Sequence, residues 1–310
     1  MSQPRVSFII VTYDNADTIE ACLLSVKMWT RDTYDVTIVD NSGDHLTRNA
    51  VSKFHVSHPE VEVRVIASGE NLGFAKGCNL GARHSAGEYL FFLNPDTQLM
   101  NDAAKFLAEC LEAHPSALAA GPAIFGVDGK VTRTCRNLPN LGRVILDASG
   151  IDSFLGCYKL VRFRHDVPRK VDQIIGAAML VRRSDYDHLG GLDERFFVYF
   201  EEVDLCKRFR EEGGKVWFWP KAQVKHLAGR SCEVSSARAR MIVTFRESRK
   251  KYFAKHFGRS ASLAVEVINR IEGVQKALVL FTLWSVLRKN IYREKAHGFW
   301  SVALGATPSS

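Results

Sequence analysis

Three acids fall within four residues at Glu201-Glu202-Val203-Asp204. Carboxylates packed this closely raise the proton affinity of at least one of them. A carboxylate tuned in that way suits general-base work, such as taking the proton from an attacking hydroxyl. The same acids also suit the first turn of a helix, where the macrodipole favours negative charge. A second chemical cluster is Asn94-Pro95-Asp96. A hard divalent cation needs oxygen ligands, and one bridging a diphosphate often takes only one or two protein carboxylates. Asp96 could be such a ligand, although Asn-Pro-Asp is also a common turn.

Alternating elements must position these groups. Val6 to Val11, Val36 to Val39, Val61 to Ala67 and Tyr89 to Leu93 have the apolar, β-branched and aromatic character of buried strands. Ala16 to Trp29, Phe74 to Ser85 and Asn101 to Ala113 have helical character. This alternation predicts an open, largely parallel α/β sheet with helices on both faces. Ligands bind such sheets at the carboxyl ends of the strands. Thr12-Tyr13-Asp14, Asp40-Asn41 and Asn94-Pro95-Asp96 all fall on that rim. The first strand is not followed by G-x-G-x-x-G, and no G-x-x-x-x-G-K-[ST] occurs, so the dinucleotide fold of dehydrogenases and the P-loop are both excluded.

Beyond residue 120 the pattern is mixed. Gly126 to Lys130 is expected to turn a β-ribbon, and Val171 to Arg182 to contain a strand that includes Gly176. Ser184 to Leu189 and Val203 to Glu212 are expected helices, each ended by paired glycines. Val216 to Trp219 is an expected short strand, and helix is expected from Ala237 to Lys295.

The 310 residues, 46% hydrophobic and 25% charged, suffice for one large α/β domain with an appendage or for two modest domains. The net charge of +8 is unevenly placed. The first 236 residues carry 28 Lys and Arg against 30 Asp and Glu, whereas the remainder carries 14 against 4. The seven cysteines are scattered without a CxxC and are expected to be reduced thiols. No secretory leader and no spanning helix are expected.

Val6 to Asp14, Val36 to Asn41, Asn71-Leu72-Gly73-Phe74, Leu93 to Thr97, Gly121-Pro122, Gly176-Ala177 and Gly190 to Ser231 resemble, in order, the inverting glycosyltransferases of family 2. The similarity is greatest to their rhamnosyltransferase-like members. Each piece is weak alone, and the ordered set is specific. The resemblance implies the GT-A fold, with a Rossmann-like, mostly parallel central sheet and, here, a C-terminal helical extension. It implies a nucleoside-diphosphate sugar donor, a glycan or lipid-linked acceptor in cell-surface polysaccharide synthesis, and Mg²⁺ or Mn²⁺. Thr12, Tyr13 and Asp14 would line the nucleotide pocket, and Asp40 would accept from a pyrimidine N3–H. Asn71, Gly73 and Lys76 would lie near the base, ribose or phosphates. Asp96 matches the last acid of the family's D-x-D metal motif, whose first acid is here Asn94. His226 matches a metal-completing histidine of some relatives and equally suits a satisfied strand-end histidine. Glu202 aligns with the general base, usually Asp, and Asp204 with the acid two residues on; Glu201 and Asp204 stay open as alternatives. Domains are expected at 1–236, with a nucleotide-sugar half 1–100 and an acceptor half 101–236, and at 237–310.

The tail holds Arg246, Arg249, Lys250, Lys251, Lys255 and Arg259, then Val267, Ile271, Val274, Leu278 and Phe281 at helical spacing. Such helices could lie on an anionic membrane surface, or pack on the catalytic domain or on a second subunit as a homodimer. The expected location is the cytoplasm, peripheral to the inner face of the plasma membrane. Nucleic acid is excluded as a partner because no recognised module is present. Arg133, Arg136 and Arg143 are either solvated surface or contacts for an anionic acceptor. Rival functions are a nucleotide-sugar-binding protein with weak or lost catalysis, and a membrane-surface scaffold.

Overall fold

A computed structural model describes residues 3–161, 163–227 and 235–307. The first seven elements alternate: β1 (Val6–Thr12), α1 (Ile19–Trp29), β2 (Tyr34–Asp40), α2 (Leu46–Ser57), β3 (Val63–Ala67), α3 (Gly73–Arg83) and β4 (Tyr89–Leu93). Strands β3, β2, β1 and β4 lie side by side and all parallel. Every side chain of β1 and β4 is buried, as expected of strands covered on both faces.

The two faces separate by strand alternation. Val6, Phe8 and Ile10 share one apolar cluster with Ile19, Leu23 and Val26 of α1 and with Val51 and Phe54 of α2. Ile9 and Val11 face the other way, toward α3. A Cβ at Gly77 would lie 2.8 Å from a Val11 methyl, and one at Gly81 2.6 Å from an Ile9 methyl. These glycines, one turn apart, let α3 lie close on β1. Helix α2 has no counterpart among the elements expected from the sequence, because its apolar residues are few and its mean character is polar.

The mixed part begins with β5 (Thr97–Leu99), α4 (Ala103–Ala113), β6 (Ala117–Phe125) and β7 (Cys135–Arg136). It continues through α5 (Leu141–Ala148), α6 (Asp152–Leu155), β8 (Arg169–Val171), β9 (Gln173–Ile174), β10 (Ala178–Arg182) and α7 (Arg183–His188). It ends with α8 (Glu201–Glu211) and β11 (Lys215–His226). The sheet extends from β4 through β10, β6 and β11 to β5, and β8 pairs with β11. Strand β10 runs antiparallel to both its neighbours, and β11 is parallel to β6.

Three expectations are corrected here. Gly176 precedes β10 rather than lying within a strand. The short strand expected at Val216 to Trp219 is the start of a twelve-residue strand. A register shift between Trp219 and Gln223 absorbs Pro220, so the pairing resumes. Helix α8 begins at Glu201, two residues before the expected start at Val203, so all three acids lie in its first turn.

The described residues fall into two compact units. One takes those of Met1–Leu138, Arg162–Glu194 and Glu201–Ala228. The other takes those of Pro139–Val161, Arg195–Phe200 and Gly229–Ser310. Two segments expected in the first domain thus join the C-terminal helices. Within that second unit, the rings of Tyr199 and Phe200 pack on Phe245, and Phe200 also meets Tyr252. The unit is built on α9 (Ser235–Leu287), interrupted at Gly258 (φ 85°), and α10 (Asn290–Ala303). Among the described residues Cys22, Cys78, Cys110, Cys135, Cys157 and Cys206 form no disulfide; Cys232 and Ser231 lie outside them.

Candidate active site

Strands β2 and β4 flank β1, so the connections leave β1 in opposite directions. That point is where an open α/β sheet forms a crevice. Thr12 ends β1, and its carbonyl accepts from the Asn41 N–H at 2.9 Å. Asp40 ends β2 and is 1% exposed. Its Oδ1 accepts from the Ser42 N–H at 3.0 Å and from Thr12 Oγ1 at 3.4 Å. Its Oδ2 lies 3.4 Å from Arg48 Nε of α2. The Asp14 N–H donates to Ser42 Oγ at 3.0 Å, and Asp14 holds a left-handed φ of 55°. Asn41 Nδ2 donates to the Gly73 carbonyl at 3.0 Å. Asn71 Oδ1 accepts from the Gly73 N–H at 3.1 Å, and Gly73 has φ 77°. Asn41 therefore ties the end of β2 to the start of α3. Thr12, Asp14, Asp40, Asn71 and Gly73 form one connected rim, while Tyr13 and Lys76 are exposed beside them in the chain.

The turn after β4 is pinned at both ends. The Asn94 N–H donates to the Ala177 carbonyl at 2.9 Å, and Thr97 Oγ1 donates to the Asn94 carbonyl at 2.6 Å. His226, the last residue of β11, pairs with Thr97 of β5. That register sets His226 Nε2 3.1 Å from Asp96 Oδ1. No three His, Cys, Asp or Glu residues among those described converge as a ready cation site. One carboxylate and one imidazole nonetheless fit a cation whose remaining ligands are diphosphate oxygens and water.

Gly176 and Ala177 link this turn to the acidic helix. A Cβ at Gly176 would lie 3.5 Å from Glu202 Cβ and 3.8 Å from Phe74 Cε1 of α3. Ala177, the next residue, receives the Asn94 N–H. Glu202 and the Asn94-Pro95-Asp96 turn therefore flank a single dipeptide, although 108 positions separate Asn94 from Glu202 in the chain.

The three acids of α8 differ in environment. Asp204 is fully buried, and Arg208 Nε donates to its Oδ2 at 2.7 Å. The same guanidinium donates to the carbonyls of Leu189 and Gly191. Asp204 thus orients Arg208 to hold the loop before α8. Glu201 is 4% exposed. Burial, and then the Glu202 carboxylate, push Glu201 well above the usual carboxylate range. Burial and then Glu201 likewise push up the Cys78 thiol of α3. Glu201 therefore holds its proton more tightly than an ordinary carboxyl.

A carboxyl protonated in the fold but ionised in the unfolded chain binds more protons when folded, so its presence costs stability as pH rises above 4.5, its ordinary value. Glu201→Gln keeps the shape and removes that penalty. Its melting midpoint should exceed that of the parent at pH 8 and match it near pH 4. Thermal melts across that range check this, and an equal shift at both ends would contradict a protonated Glu201.

Several positioning residues escaped the sequence. Asn79 on α3 takes hydrogen bonds from Tyr186 Oη and the Leu192 N–H, and its Nδ2 donates to the Leu192 carbonyl at 2.8 Å and to Glu194 Oε1 at 3.0 Å. It anchors the loop leading toward α8. The available signal was one amide among the glycines and alanines of α3. Arg208 was signalled by its i,i+4 spacing from Asp204.

Comparison with known proteins follows the same lines. The model of glycosyl transferase family 2 matches residues 7–189. An N-acetylglucosaminyl-diphospho-decaprenol L-rhamnosyltransferase of Mycobacterium tuberculosis is 31% identical over 240 residues, covering 70% of this chain and 74% of its own. Rhamnosyltransferase WbbL of Escherichia coli K12 is 25% identical over 268 residues, covering 83% of this chain and 98% of its own. A solved mannosyltransferase of Pyrobaculum calidifontis, in complex with GDP-Man and Mn²⁺, superposes with a TM-score of 0.56 at 17% identity, covering 98% of this chain and 87% of that one. The last likeness is one of fold, and the fold is GT-A. With a family model matched over more than half of its length, from β1 through β10, the chain belongs to glycosyl transferase family 2.

Proposed function

We propose that the chain moves a rhamnosyl group from a nucleoside diphosphate to a hydroxyl of a lipid-linked glycan, by a single displacement that inverts the anomeric carbon. The observation that carries this is the pairing of Glu202 with the Asn94-Pro95-Asp96 turn across Gly176-Ala177. It puts a candidate base beside a candidate diphosphate site. The names of the Mycobacterium tuberculosis and Escherichia coli relatives supply the sugar, and the former supplies the lipid-diphosphate acceptor. Glu202 takes the proton of the attacking hydroxyl. Asp40 and its neighbours hold the base, and residues 1–100 serve the donor while 101–236 serve the acceptor. Asp96 and His226 would hold Mg²⁺ or Mn²⁺, which when bound supplies positive charge beside the leaving diphosphate. Transfer to a lipid carrier would occur in the cytoplasm, at the inner face of the plasma membrane.

A thermal-shift panel of nucleotide sugars, with and without Mn²⁺, tests this. dTDP-rhamnose with Mn²⁺ is expected to raise the midpoint most, since a ligand at a hundred times its dissociation constant adds about 2.7 kcal/mol. A larger shift with a purine-nucleotide sugar would overturn the donor. Equal shifts with and without Mn²⁺, and with Asp96→Ala, would overturn the cation site.

A further inference from the structure

Two of the six cations in the basic stretch of the tail turn inward, whereas Lys251 and Arg259 are exposed. Arg246 and Arg249 are 8% and 2% exposed, and both pair with the buried carboxylate of Glu272. The unpartnered surface lies further along α9. Leu263, Val267, Ile271, Val274 and Leu278 are 56%, 56%, 54%, 39% and 58% exposed. Their spacing puts them on one side of the helix, while Val265, Asn269, Glu272 and Ala277 of the same helix are buried. Over the last turns the exposed apolar surface moves round the helix, where Val279, Leu283, Val286 and Leu287 are exposed. Large exposed apolar patches mark interaction surfaces.

Cations rim this end. Arg288, Lys289, Arg293 and Lys295 are exposed. The guanidinium groups of Arg288 and Arg293 lie over the ring of Trp284, at 5.9 and 5.3 Å from its centroid. A two-fold contact with its axis through this end would set these cations against themselves. Anionic headgroups match the rim, and the apolar side chains between the cations match the acyl boundary beneath. Tryptophan is enriched at that depth. No helix among the described residues is long and apolar enough to cross a membrane, so the match is to a surface.

We propose that the outer face and C-terminal end of α9 dock on a bilayer containing anionic phospholipid. This inference stands on the surface itself and holds whichever sugar is moved. It deepens the proposed function by naming where a lipid-linked acceptor is met.

The test is flotation of the full chain with vesicles of phosphatidylglycerol mixed with phosphatidylcholine, against vesicles of phosphatidylcholine alone. The parent should float with the mixed vesicles, far less with the neutral ones, and progressively less as salt is raised. Leu278→Asp combined with Val286→Asp replaces two exposed side chains. It should keep the parent's melting midpoint and its donor-induced shift, while binding to mixed vesicles falls at least about tenfold. Arg288→Glu with Lys289→Glu should remove the salt-sensitive part of binding and gives an independent variant if the first misfolds. Unchanged flotation of both variants would overturn the proposal. So would a dimer of the parent that the aspartates dissolve, which would give the face to a second copy. An intact donor-induced shift in either case leaves the sugar-transfer proposal standing.

Discussion

Glu202→Gln is expected to fold as the parent does, to bind donor with unchanged affinity, and to transfer sugar about 10²–10⁴-fold more slowly. The amide keeps the shape of the side chain but cannot accept a proton. Neither neighbour can substitute. Glu201 is only 4% exposed, and burial and then the Glu202 charge push its carboxyl well above the ordinary range. Asp204 is fully buried with its Oδ2 taken by Arg208 Nε, so it offers no surface to an acceptor hydroxyl. Single-turnover transfer, measured beside the donor-induced thermal shift, separates loss of chemistry from loss of binding. Near-normal turnover would move the base elsewhere. Asp204→Asn should act differently, by loosening the Leu189 and Gly191 contacts of Arg208 and lowering the melting midpoint along with the rate.

Glu272→Gln should be the most destabilising single change in the C-terminal unit, by about 3–5 kcal/mol. Glu272 has no exposed side-chain surface. It meets Arg246 at 2.6 Å, Arg249 at 2.9 Å and Lys276 at 2.6 Å. Burial would raise its carboxyl, but the three cations prevail and bring it down to about 2 from 4.5. Burial and the neighbouring Arg249 lower Arg246 to about 10. Removing the one carboxylate strands two buried guanidiniums. Because the folded value is depressed, the pair's contribution is present above pH 4.5 and is lost as pH falls through about 2. That difference corresponds to about 3 kcal/mol. Chemical denaturation at pH 7 and at pH 2.5 checks both the size and the window. Replacing Glu272, Arg246 and Arg249 together by apolar residues of similar volume should restore most of the stability, since the cost lies in the unmatched charges.

The parallel half of the sheet was legible because burial on both faces demands uninterrupted apolar strands, and β1, β2 and β4 supply them. The acidic run and the Asn94-Pro95-Asp96 turn were legible as clusters because their members are neighbours in the chain. Helix α2 was not, since a polar helix with two large apolar anchors leaves little periodic signal. The full length of β11 was not, because Pro220 is tolerated in a strand only where a bulge relieves the missing donor, and a bulge is a matter of pairing. The basic tail misled about its outer surface. Composition counted Arg246 and Arg249 as exposed charge, and only the fold of α9 brings Glu272 between them.

By itself, the sequence determined the class of sheet, the rim on which its polar clusters fall, and the family those clusters resemble. These follow from local rules, namely the two-residue period of strands, the helical period, and the residues that turns accept. Only the tertiary structure decided how the acids differ. Glu201, Glu202 and Asp204 are alike in composition and almost adjacent, yet one has its carboxyl pushed up by burial, one lies against Gly176, and one is held by Arg208. Their charge states depend on desolvation and on partners brought in from α3, from the Gly176 loop and from one turn along α8. Such effects act through space, so the order of residues along a chain does not contain them until the chain has folded.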